Sequence, residues 1–294
     1  MRTALITGAG RGIGEAVTRR LARAGWAVLA GVRDEASGER LRAKDERIVP
    51  VQLDITDEAD VAGLARQLPD RLDALVNNAG IGVLGPLEAV SPDHLRRQFD
   101  VNVVGQVAVT QAVLPLLRTA RGRIVFISST GGRTAIPMEG AYCASKFALE
   151  GVADAFRLEL RPWRIRVSIV EPGPTSTESW RDVQKMIDGF DDQMTPSQRD
   201  LYSRHTAGLR SVAARLQSQA IPPDAVARVV ERALNARNPR ARYLAGVPAH
   251  VMIAMTKVLP TRVGDAVGAR ISGISSADDR AGAGTRRPAG SGEP

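Results

Sequence analysis

The chain is poor in the residues that usually build disulfides and metal sites. Its 294 residues include one cysteine, Cys143, which cannot form an internal disulfide and suits a reducing compartment. We therefore expect a cytoplasmic protein. The three histidines, His94, His205 and His250, lack metal-ligand spacing, so no metal site is predicted. Aromatic residues make up only 4%, so valine, leucine, alanine and isoleucine must form the core.

Long apolar runs and concentrated basic segments are also missing. No uninterrupted apolar run reaches the roughly 18–20 residues of a membrane helix, and Met1 leads almost directly into a predicted strand, which leaves no room for a signal peptide. The net charge of +8 and pI of 10.4 could suggest a nucleic-acid partner. The arginines are scattered, however, and residues 39–47 mix both charge signs as a solvated helix face does. We expect no nucleic-acid partner, and the excess positive charge has no account beyond arginine-rich composition.

What is present is an alternation of short apolar strands and amphipathic helices. This alternation predicts an α/β fold: a doubly wound parallel sheet of about seven strands, covered by helices on both faces, in a single domain. The predicted strands are 2–7, 27–33, 48–53, 72–77, 122–128, 165–170 and 241–245, and the predicted helices are 12–24, 35–43, 57–68, 91–118, 141–161 and 224–236.

Three segments depart from the alternation. Residues 174–222 are polar and rich in proline, which predicts an irregular insertion that serves as a substrate lid on a catalytic domain of residues 1–248. Residues 249–272 carry an apolar stripe typical of an amphipathic helix. The composition of residues 273–294 predicts a disordered tail.

Two candidate catalytic side chains lie four residues apart. In a helix this spacing places the Tyr142 phenol and the Lys146 ammonium on one face. A phenol titrates near ~10, and an adjacent cation should lower that pKa towards the range of acid–base catalysis. Lysine is scarce, with Lys44, Lys185 and Lys257 as the others. Alone, such a pair is more often an ordinary surface contact, so the interpretation depends on the rest of the chain.

A glycine-rich turn follows the first predicted strand. Residues 8–14 read Gly-Ala-Gly-Arg-Gly-Ile-Gly and lead directly into a predicted helix. Glycines allow the backbone to turn tightly and to approach a pyrophosphate, which binds at the helix N-terminus. The motif in this strand–turn–helix context indicates a dinucleotide site.

Taken together, the motifs resemble the short-chain dehydrogenases/reductases in their basic, roughly 250-residue form. The resemblance covers about residues 1–245 and implies a Rossmann-type fold and an NAD(P)-dependent oxidoreductase. The matching residues are Thr7-Gly8-x-x-x-Gly12-Ile13-Gly14, Asp54, Asn77-Asn78-Ala79-Gly80, Asn102, Ser129, Tyr142-x-x-x-Lys146 and Pro172-Gly173-x-x-x-Thr177.

The resemblance implies four catalytic residues. Tyr142 would be the general acid in carbonyl reduction, or the base in the reverse direction, and Lys146 would lower its pKa and hold the nicotinamide ribose. Ser129 would position the substrate oxygen; Ser128 is a rival that the family spacing disfavours. Asn102 would belong to a water-mediated proton relay, although alone it could be a satisfied polar side chain.

The resemblance also implies the dinucleotide-binding residues, and two arginines bear on cofactor choice. Arg33, at the end of the second strand, and Arg11 could contact a 2′-phosphate, which favours NADP, with NAD as the alternative. Asp34 could instead be a displaced acidic residue for an NAD ribose, or the N-cap of the next helix. The predicted cofactor-binding residues are Gly8, Arg11, Gly12, Ile13, Gly14, Arg33, Asp54, Ile55, Asn78, Ala79, Gly80, Tyr142, Lys146, Pro172, Gly173, Thr175 and Thr177.

The C-terminal extension bears on the substrate. It looks more like the branch acting on steroids, retinoids and other apolar alcohols and ketones than like acyl-carrier ketoreductases. We expect a small carbonyl or alcohol substrate and a homo-oligomer, with the extra helix packed on protein rather than on a membrane surface. The alternatives are a non-catalytic dinucleotide-binding regulator, an acyl-carrier ketoreductase and a sugar-nucleotide epimerase; intact Tyr142, Lys146 and Ser129 disfavour the first, and the glycine spacing and length disfavour the last.

Overall fold

The computed structural model describes residues 1–178, 183–272 and 274, and a seven-stranded parallel sheet lies at its centre. The strand order is β3-β2-β1-β4-β5-β6-β7, so the order reverses between β1 and β4. Ligands of open α/β sheets bind at such a switch point, outside the carboxyl ends of the strands. The strands are β1 (Thr3–Ile6), β2 (Ala27–Val32), β3 (Ile48–Gln52), β4 (Ala74–Asn77), β5 (Arg123–Ile127), β6 (Arg166–Pro172) and β7 (Arg242–Ala245).

Helices cover both faces of the sheet, and each face has its own apolar core. The helices are α1 (Gly12–Arg23), α2 (Glu35–Arg42), α3 (Glu58–Gln67), α4 (Pro92–Phe99), α5 (Gly105–Ala120), α6 (Gly140–Glu159), α7 (Val183–Asp191), α8 (Pro196–Ser218), α9 (Pro223–Asn235), α10 (Val247–Val258) and α11 (Thr261–Ile271). Side chains alternate along a strand, so Ile6 packs with α1 and α9 on one face while Leu5 packs with α3, α5 and α6 on the other.

The predicted sheet and its flanking helices are confirmed, but one predicted helix is interrupted. Residues 91–118 form α4 and α5 joined by a π-helical turn, Asp100–Val104. Such turns are often found at functional sites. Apolar periodicity could not reveal the turn, because α4 and α5 continue the same helical direction on either side of it.

The prediction of an irregular segment at 174–222 is wrong. Its described residues form α7 and the 23-residue α8, which a Thr195–Gln198 capping box begins. The two helices share a small apolar core with Met138 and Leu84, and its buried members include Val183, Ile187, Phe190, Met194, Leu209 and Ala213. The apolar residues are spaced at helical intervals, but abundant polar residues hid the pattern.

The C-terminal region also differs in detail. The single helix predicted over 249–272 is two helices, α10 and α11, separated at Leu259 and Pro260. Ala249 and Ile253 of α10 are buried, whereas Val251 and Val258 are exposed. The predicted tail, 273–294, lies outside the described residues except for Ile274.

One described helical stretch, Pro92–Ala120, is long and apolar enough to cross a membrane by length and composition alone. Its residues Val109, Val113 and Leu117 are fully buried against the sheet. A core helix of this kind passes the same test, so the stretch is weak evidence for a membrane span.

Candidate active site

The glycine-rich turn joins β1 to α1 at the switch point of the sheet. Gly8 and Gly12 adopt φ values of 62° and 58°, which side-chain-bearing residues rarely adopt. A Cβ on Gly8 would lie 2.9 Å from the Ala79 Cα, and one on Gly14 would overlap the Gly8 carbonyl oxygen. Ile13 packs on the core beneath the turn. Arg11 is the N-cap of α1 but makes no side-chain capping bond, which leaves the first amides of the helix directed at the crevice.

A second loop, after β4, holds this turn in place. Asn78 donates from Nδ2 to the carbonyl oxygens of Thr7 (2.9 Å) and Gly8 (3.1 Å), and the Thr7 hydroxyl accepts from the amides of Asn78 and Ala79. The two loops therefore fix each other through backbone groups. Gly80 follows, and a Cβ there would lie 3.3 Å from Asn102 Oδ1 and 3.7 Å from Lys146 Nζ. Gly80 thus leaves room for two predicted catalytic side chains.

Basic residues surround the outer edge of the glycine turn. Arg11 lies within the turn and Arg33 follows β2; both are exposed, and their contact with a 2′-phosphate remains a prediction. Asp34 accepts from the Ser37 amide at 2.8 Å and so is the N-cap of α2, and this hydrogen bond lowers its pKa. Arg40 was not among the predicted binding residues, because residues 39–47 mix both charge signs as a solvated helix face does. Its Nη2 donates to the Gly10 carbonyl oxygen at 2.5 Å.

Asp54 and Ile55, which are predicted to bind the cofactor, follow the carboxyl end of β3. Asp54 Oδ1 accepts from the Thr56 amide (2.9 Å) and hydroxyl (2.7 Å). Burial opposes ionisation of Asp54, but these bonds together with the charges of Arg33 and Arg97 give it a lowered pKa. Ile55 is buried. The Asp54 carboxylate is therefore held in one orientation by Thr56, and its contact with an adenine remains a prediction.

The segment after β6 returns to the same turn. Pro172 ends β6, Gly173 lies against Ala249 of α10, and the Thr175 hydroxyl donates to the Gly173 carbonyl oxygen at 2.9 Å. The Thr177 side chain is so close to Gly12 that a Cβ on Gly12 would lie 3.2 Å from Thr177 Cγ2. Thr177 therefore lies against the first residue of α1, and the preceding residues of the segment connect it to β6 and α10.

Tyr142 lies near the start of α6 beside Ser129, which follows β5. Gly131 lies between the two side chains: a Cβ added to Gly131 would lie 3.3 Å from the Tyr142 ring and 3.5 Å from Ser129 Oγ. Ser129 is partly exposed, whereas Ser128 is buried. The structure thus places Ser129, not its neighbour, next to the phenol. Its role in holding a substrate oxygen remains a prediction.

Lys146 is buried one turn further along α6. Its Nζ donates to the Ile127 carbonyl oxygen at 2.9 Å and lies 5.8 Å from the centre of the Tyr142 ring. Burial lowers the pKa of Lys146 to about 8. Burial also raises the pKa of Tyr142, against a smaller lowering by Ser129. The predicted lowering of the phenol pKa is therefore not seen in the free protein, because desolvation of the phenol outweighs its hydrogen bond with Ser129.

Asn102, in the π-helical turn, is completely buried with its side chain fully engaged. Its Nδ2 donates to the Ile81 carbonyl oxygen (3.0 Å) and to Ser145 Oγ (3.0 Å), and its Oδ1 accepts from the Ile81 amide (2.9 Å). Gln98 holds Val83 in the same way, with Oε1 accepting from the amide at 2.7 Å. The two amides shape the loop that faces Tyr142. All the hydrogen-bonding groups of the Asn102 side chain are thus paired, which agrees with the alternative that it is a satisfied polar side chain. Its role in a proton relay remains a prediction.

An apolar cavity of about 210 Å3 adjoins Tyr142. Gly82 connects the two, since its Cβ would lie 3.8 Å from the Tyr142 ring and 3.9 Å from the Met186 methyl carbon. The walls come from the loop after β4, from α4 and from α7. The lining residues are Gly82, Val83, Leu84, His94, Met186, Gly189, Phe190 and Gln193.

A titratable group that the sequence analysis missed lies one turn before Tyr142. Burial raises the pKa of Glu139 to about 7, and its charge contributes to the raised pKa of Tyr142. The sequence shows that Glu139 precedes Tyr142 by three residues and Cys143 by four. It does not show that the Glu139 carboxylate is buried. Among the described residues no cluster of metal-ligating side chains is found.

Comparison with protein families agrees with this geometry. Residues 2–188 match the family model described as short chain dehydrogenase. Retinol dehydrogenase 5 of Mus musculus is 36% identical over 275 residues, covering 89% of this chain and 86% of that protein. The uncharacterized oxidoreductase YbbO of Escherichia coli K12 is 35% identical over 269 residues, covering 90% and 93%.

Solved structures give the same result. A short-chain dehydrogenase from Streptomyces avermitilis has a TM-score of 0.71 at 27% identity, covering 97% of this chain and 98% of that one. A short-chain dehydrogenase from Burkholderia cenocepacia in complex with NADP has a TM-score of 0.71 at 29% identity, covering 92% and 99%. A 3-ketoacyl-(acyl-carrier-protein) reductase from Brucella melitensis complexed with NADH has a TM-score of 0.67 at 27% identity, covering 84% and 96%.

Proposed function

Because the chain belongs to the short-chain dehydrogenase/reductase family and is an NAD(P)-dependent oxidoreductase, we propose that it interconverts an apolar ketone or aldehyde and its alcohol with NADP(H). The observation that carries this proposal is the position of Tyr142, between a glycine-built dinucleotide crevice and an apolar cavity. A proton donor at that junction faces both reactants.

The crevice fits a dinucleotide in shape and charge. The glycine turn has no room for side chains at Gly8 and Gly14, and the uncapped N-terminus of α1 suits a pyrophosphate. The nicotinamide ribose would lie beside Gly80 and Lys146. The adenine would lie beside Asp54 and Ile55. When bound, the cofactor supplies or accepts the hydride.

The charges at the rim support NADP over NAD. A 2′-phosphate calls for guanidinium groups, and Arg11, Arg33 and Arg40 surround the position after β2 where an NAD enzyme would offer a carboxylate. The nearby carboxylate, Asp34, is engaged in capping α2. One structural relative is bound to NADP and another is bound to NADH, so the relatives are compatible with either cofactor. The preference of this chain for NADP over NAD is our proposal.

The chain's own groups would act on the proton and on the substrate oxygen. Tyr142 carries its proton at neutral pH, because burial raises its pKa, and can donate it to a carbonyl oxygen held by Ser129. Lys146 lies one helical turn from Tyr142, and both Lys146 and Asn102 lie close to Gly80. These two side chains would return a proton to the phenol after each turnover. The raised pKa fits the reduction direction, in which the phenol must start protonated.

The cavity supports an apolar substrate. Val83, Leu84, Met186 and Phe190 contribute most of its walls, and His94 and Gln193 add polar groups. That retinol dehydrogenases are among the relatives agrees with a retinoid- or steroid-like alcohol or ketone. An acyl-carrier substrate is the second candidate, because a relative of that activity shares the fold.

A substrate panel tests the proposal. Apolar ketones, aldehydes and alcohols are assayed with NADPH, NADP, NADH and NAD at the nicotinamide absorbance band, beside an acyl-carrier thioester. We expect turnover of apolar ketones with NADPH and little with the thioester. Cofactor binding without turnover of any of these compounds would favour a dinucleotide-binding regulator instead.

Assembly and location are proposed on separate grounds. Exposed apolar side chains on α5 and α6 and near them, such as Val104 and Phe147, support a homo-oligomer. Exposed Val251 and Val258 on α10 could add to that contact or touch a membrane surface. The single, buried and free Cys143 supports a cytoplasmic location. Light scattering on the purified protein tests the first of these.

A further inference from the structure

Three functional groups follow one another at four-residue spacing along α6. Tyr142, Lys146 and Glu150 therefore lie on one helix face, one turn apart. Lys146 is 4% exposed and Glu150 is 6% exposed. A buried ammonium loses its hydration and stays charged only if a nearby anion compensates. Glu150 is the carboxylate whose charge opposes the effect of burial on the pKa of Lys146.

Glu150 is held from its far side by β7. Arg242 Nε donates to Glu150 Oε2 at 2.9 Å, and Arg242 Nη2 donates to Asp154 at 2.6 Å. The other carboxylate oxygen, Glu150 Oε1, is buried and accepts no hydrogen bond from a described residue. Arg242 thus fixes the carboxylate without engaging both of its oxygens. Part of the negative charge therefore stays buried, on the same helix face as Lys146 and one turn from it.

The other carboxylates near Glu150 are less suited to act on Lys146. Glu171, at the end of β6, lies 3.8 Å from Arg242 and accepts from Arg133 at 3.1 Å, so arginines face it on two sides. Asp154 is partly exposed and also pairs with Arg157. Glu139 lies on the opposite side of Tyr142, one turn before it. Glu150 is therefore the carboxylate placed to act on Lys146.

We propose that Glu150 is a positioning residue for catalysis, whose carboxylate keeps the buried ammonium of Lys146 charged and directed at the Ile127 carbonyl oxygen. Through Lys146 it would act on the phenol of Tyr142 and on the cofactor ribose without touching either. The proposal rests on the proposed function for its catalytic consequence, but not for the charge state of Lys146.

The charge state can be measured directly, because the chain has only four lysines. Lysine labelled with ¹³C at Cε gives four resolvable signals, and the Lys146→Arg variant assigns one of them. In the cofactor-free protein, the pKa of Lys146, about 8, should fall by about one unit in Glu150→Gln, because a compensating charge is lost. Asp154→Asn is the matched control, since it removes the other carboxylate bonded to Arg242, two turns away. It should leave the Lys146 titration unchanged.

Kinetics supply the second measurement. In the reduction direction, the alkaline limb of the kcat/KM profile should move to lower pH by about the same one unit in Glu150→Gln. Glu150→Asp, which retains the charge, should lie between Glu150→Gln and the wild type. An unchanged Lys146 titration in Glu150→Gln would overturn the proposal, whatever the substrate panel shows. A shifted titration with no turnover of any substrate would leave it standing and reject the proposed function instead.

Folding of the variants is checked by circular dichroism and thermal unfolding. If Glu150→Gln fails to fold because Arg242 has lost a carboxylate, E150Q/R242Q removes both members of the pair. The pKa of Lys146 should still fall, because Glu150, and not Arg242, is the charge that acts on this pKa. A wild-type value in the double variant would contradict the proposal.

Discussion

The two sides of the active site are built in different ways. On the cofactor side, the loops after β1 and β4 are short and fix each other by hydrogen bonds between Thr7, Gly8 and Asn78. On the substrate side, α7 and α8 are longer, and apolar contacts around Ile187 and Phe190 hold them. A cofactor of fixed shape requires particular residues at fixed spacing, whereas an apolar wall accepts many residues. The first side therefore has a sequence signature and the second does not.

The largest effect is expected from a substitution in the glycine-rich turn on the cofactor side. Gly14→Ala should abolish dinucleotide binding and lower the unfolding temperature, because its Cβ overlaps the Gly8 carbonyl oxygen and approaches Asn78 Nδ2. Gly63→Ala in α3 is the control, since its Cβ meets only side-chain ends at 3.7 Å and 3.9 Å. Cofactor titration and thermal unfolding measure both. Normal NADPH binding by Gly14→Ala would show that the turn is not the cofactor site.

The next effect sharpens the cofactor choice. Arg33→Ala, Arg11→Ala and Arg40→Ala should each weaken NADPH binding roughly 10- to 100-fold, because each removes a guanidinium from a 2′-phosphate. NADH binding should change little. Arg42→Ala, also exposed on α2, is the control. Equal weakening of the two cofactors would make these arginines ordinary surface charges.

A smaller effect is expected on the substrate side. Gly189 lines the cavity, and a Cβ there would meet no atom within 4 Å, so a larger side chain at the cavity wall causes no clash within α7. Gly189→Leu should raise KM for bulky apolar ketones about tenfold while small ketones and NADPH binding are spared. Gly63→Leu provides the comparison. If bulky and small ketones respond alike, the cavity is not the substrate site.

The smallest effect concerns motion. A substrate lid remains a prediction for α7 and α8, although they are helical and share an apolar core. Their amides should exchange faster than those of β4 and β5 in the free protein and slow when NADPH and a ketone bind together. Hydrogen exchange by mass spectrometry measures the difference. Equal, strong protection in the free protein would exclude a lid.

The same contrast explains what the sequence could predict. The seven strands could be predicted because they are short apolar runs. The residues of the glycine turn could be predicted because a tight turn requires glycine at fixed positions. Arg40 was missed because its contact with Gly10 joins two elements that only the folded sheet brings together. The raised pKa of Tyr142 was missed because spacing shows the nearby lysine but not the burial of the phenol. α7 and α8 were missed because their apolar residues are few.

The central claim is that Tyr142 moves the proton at the junction of crevice and cavity, and one variant tests it most directly. Tyr142→Phe retains the ring and removes only the hydroxyl, and Tyr202→Phe, which removes a hydroxyl bonded to Glu88 far along the chain, is its control. With NADPH and an apolar ketone that the wild type reduces, Tyr142→Phe should lose about 10²- to 10⁴-fold in kcat and bind NADPH as the wild type does. A Tyr142→Phe variant that keeps most of the wild-type rate would contradict the account.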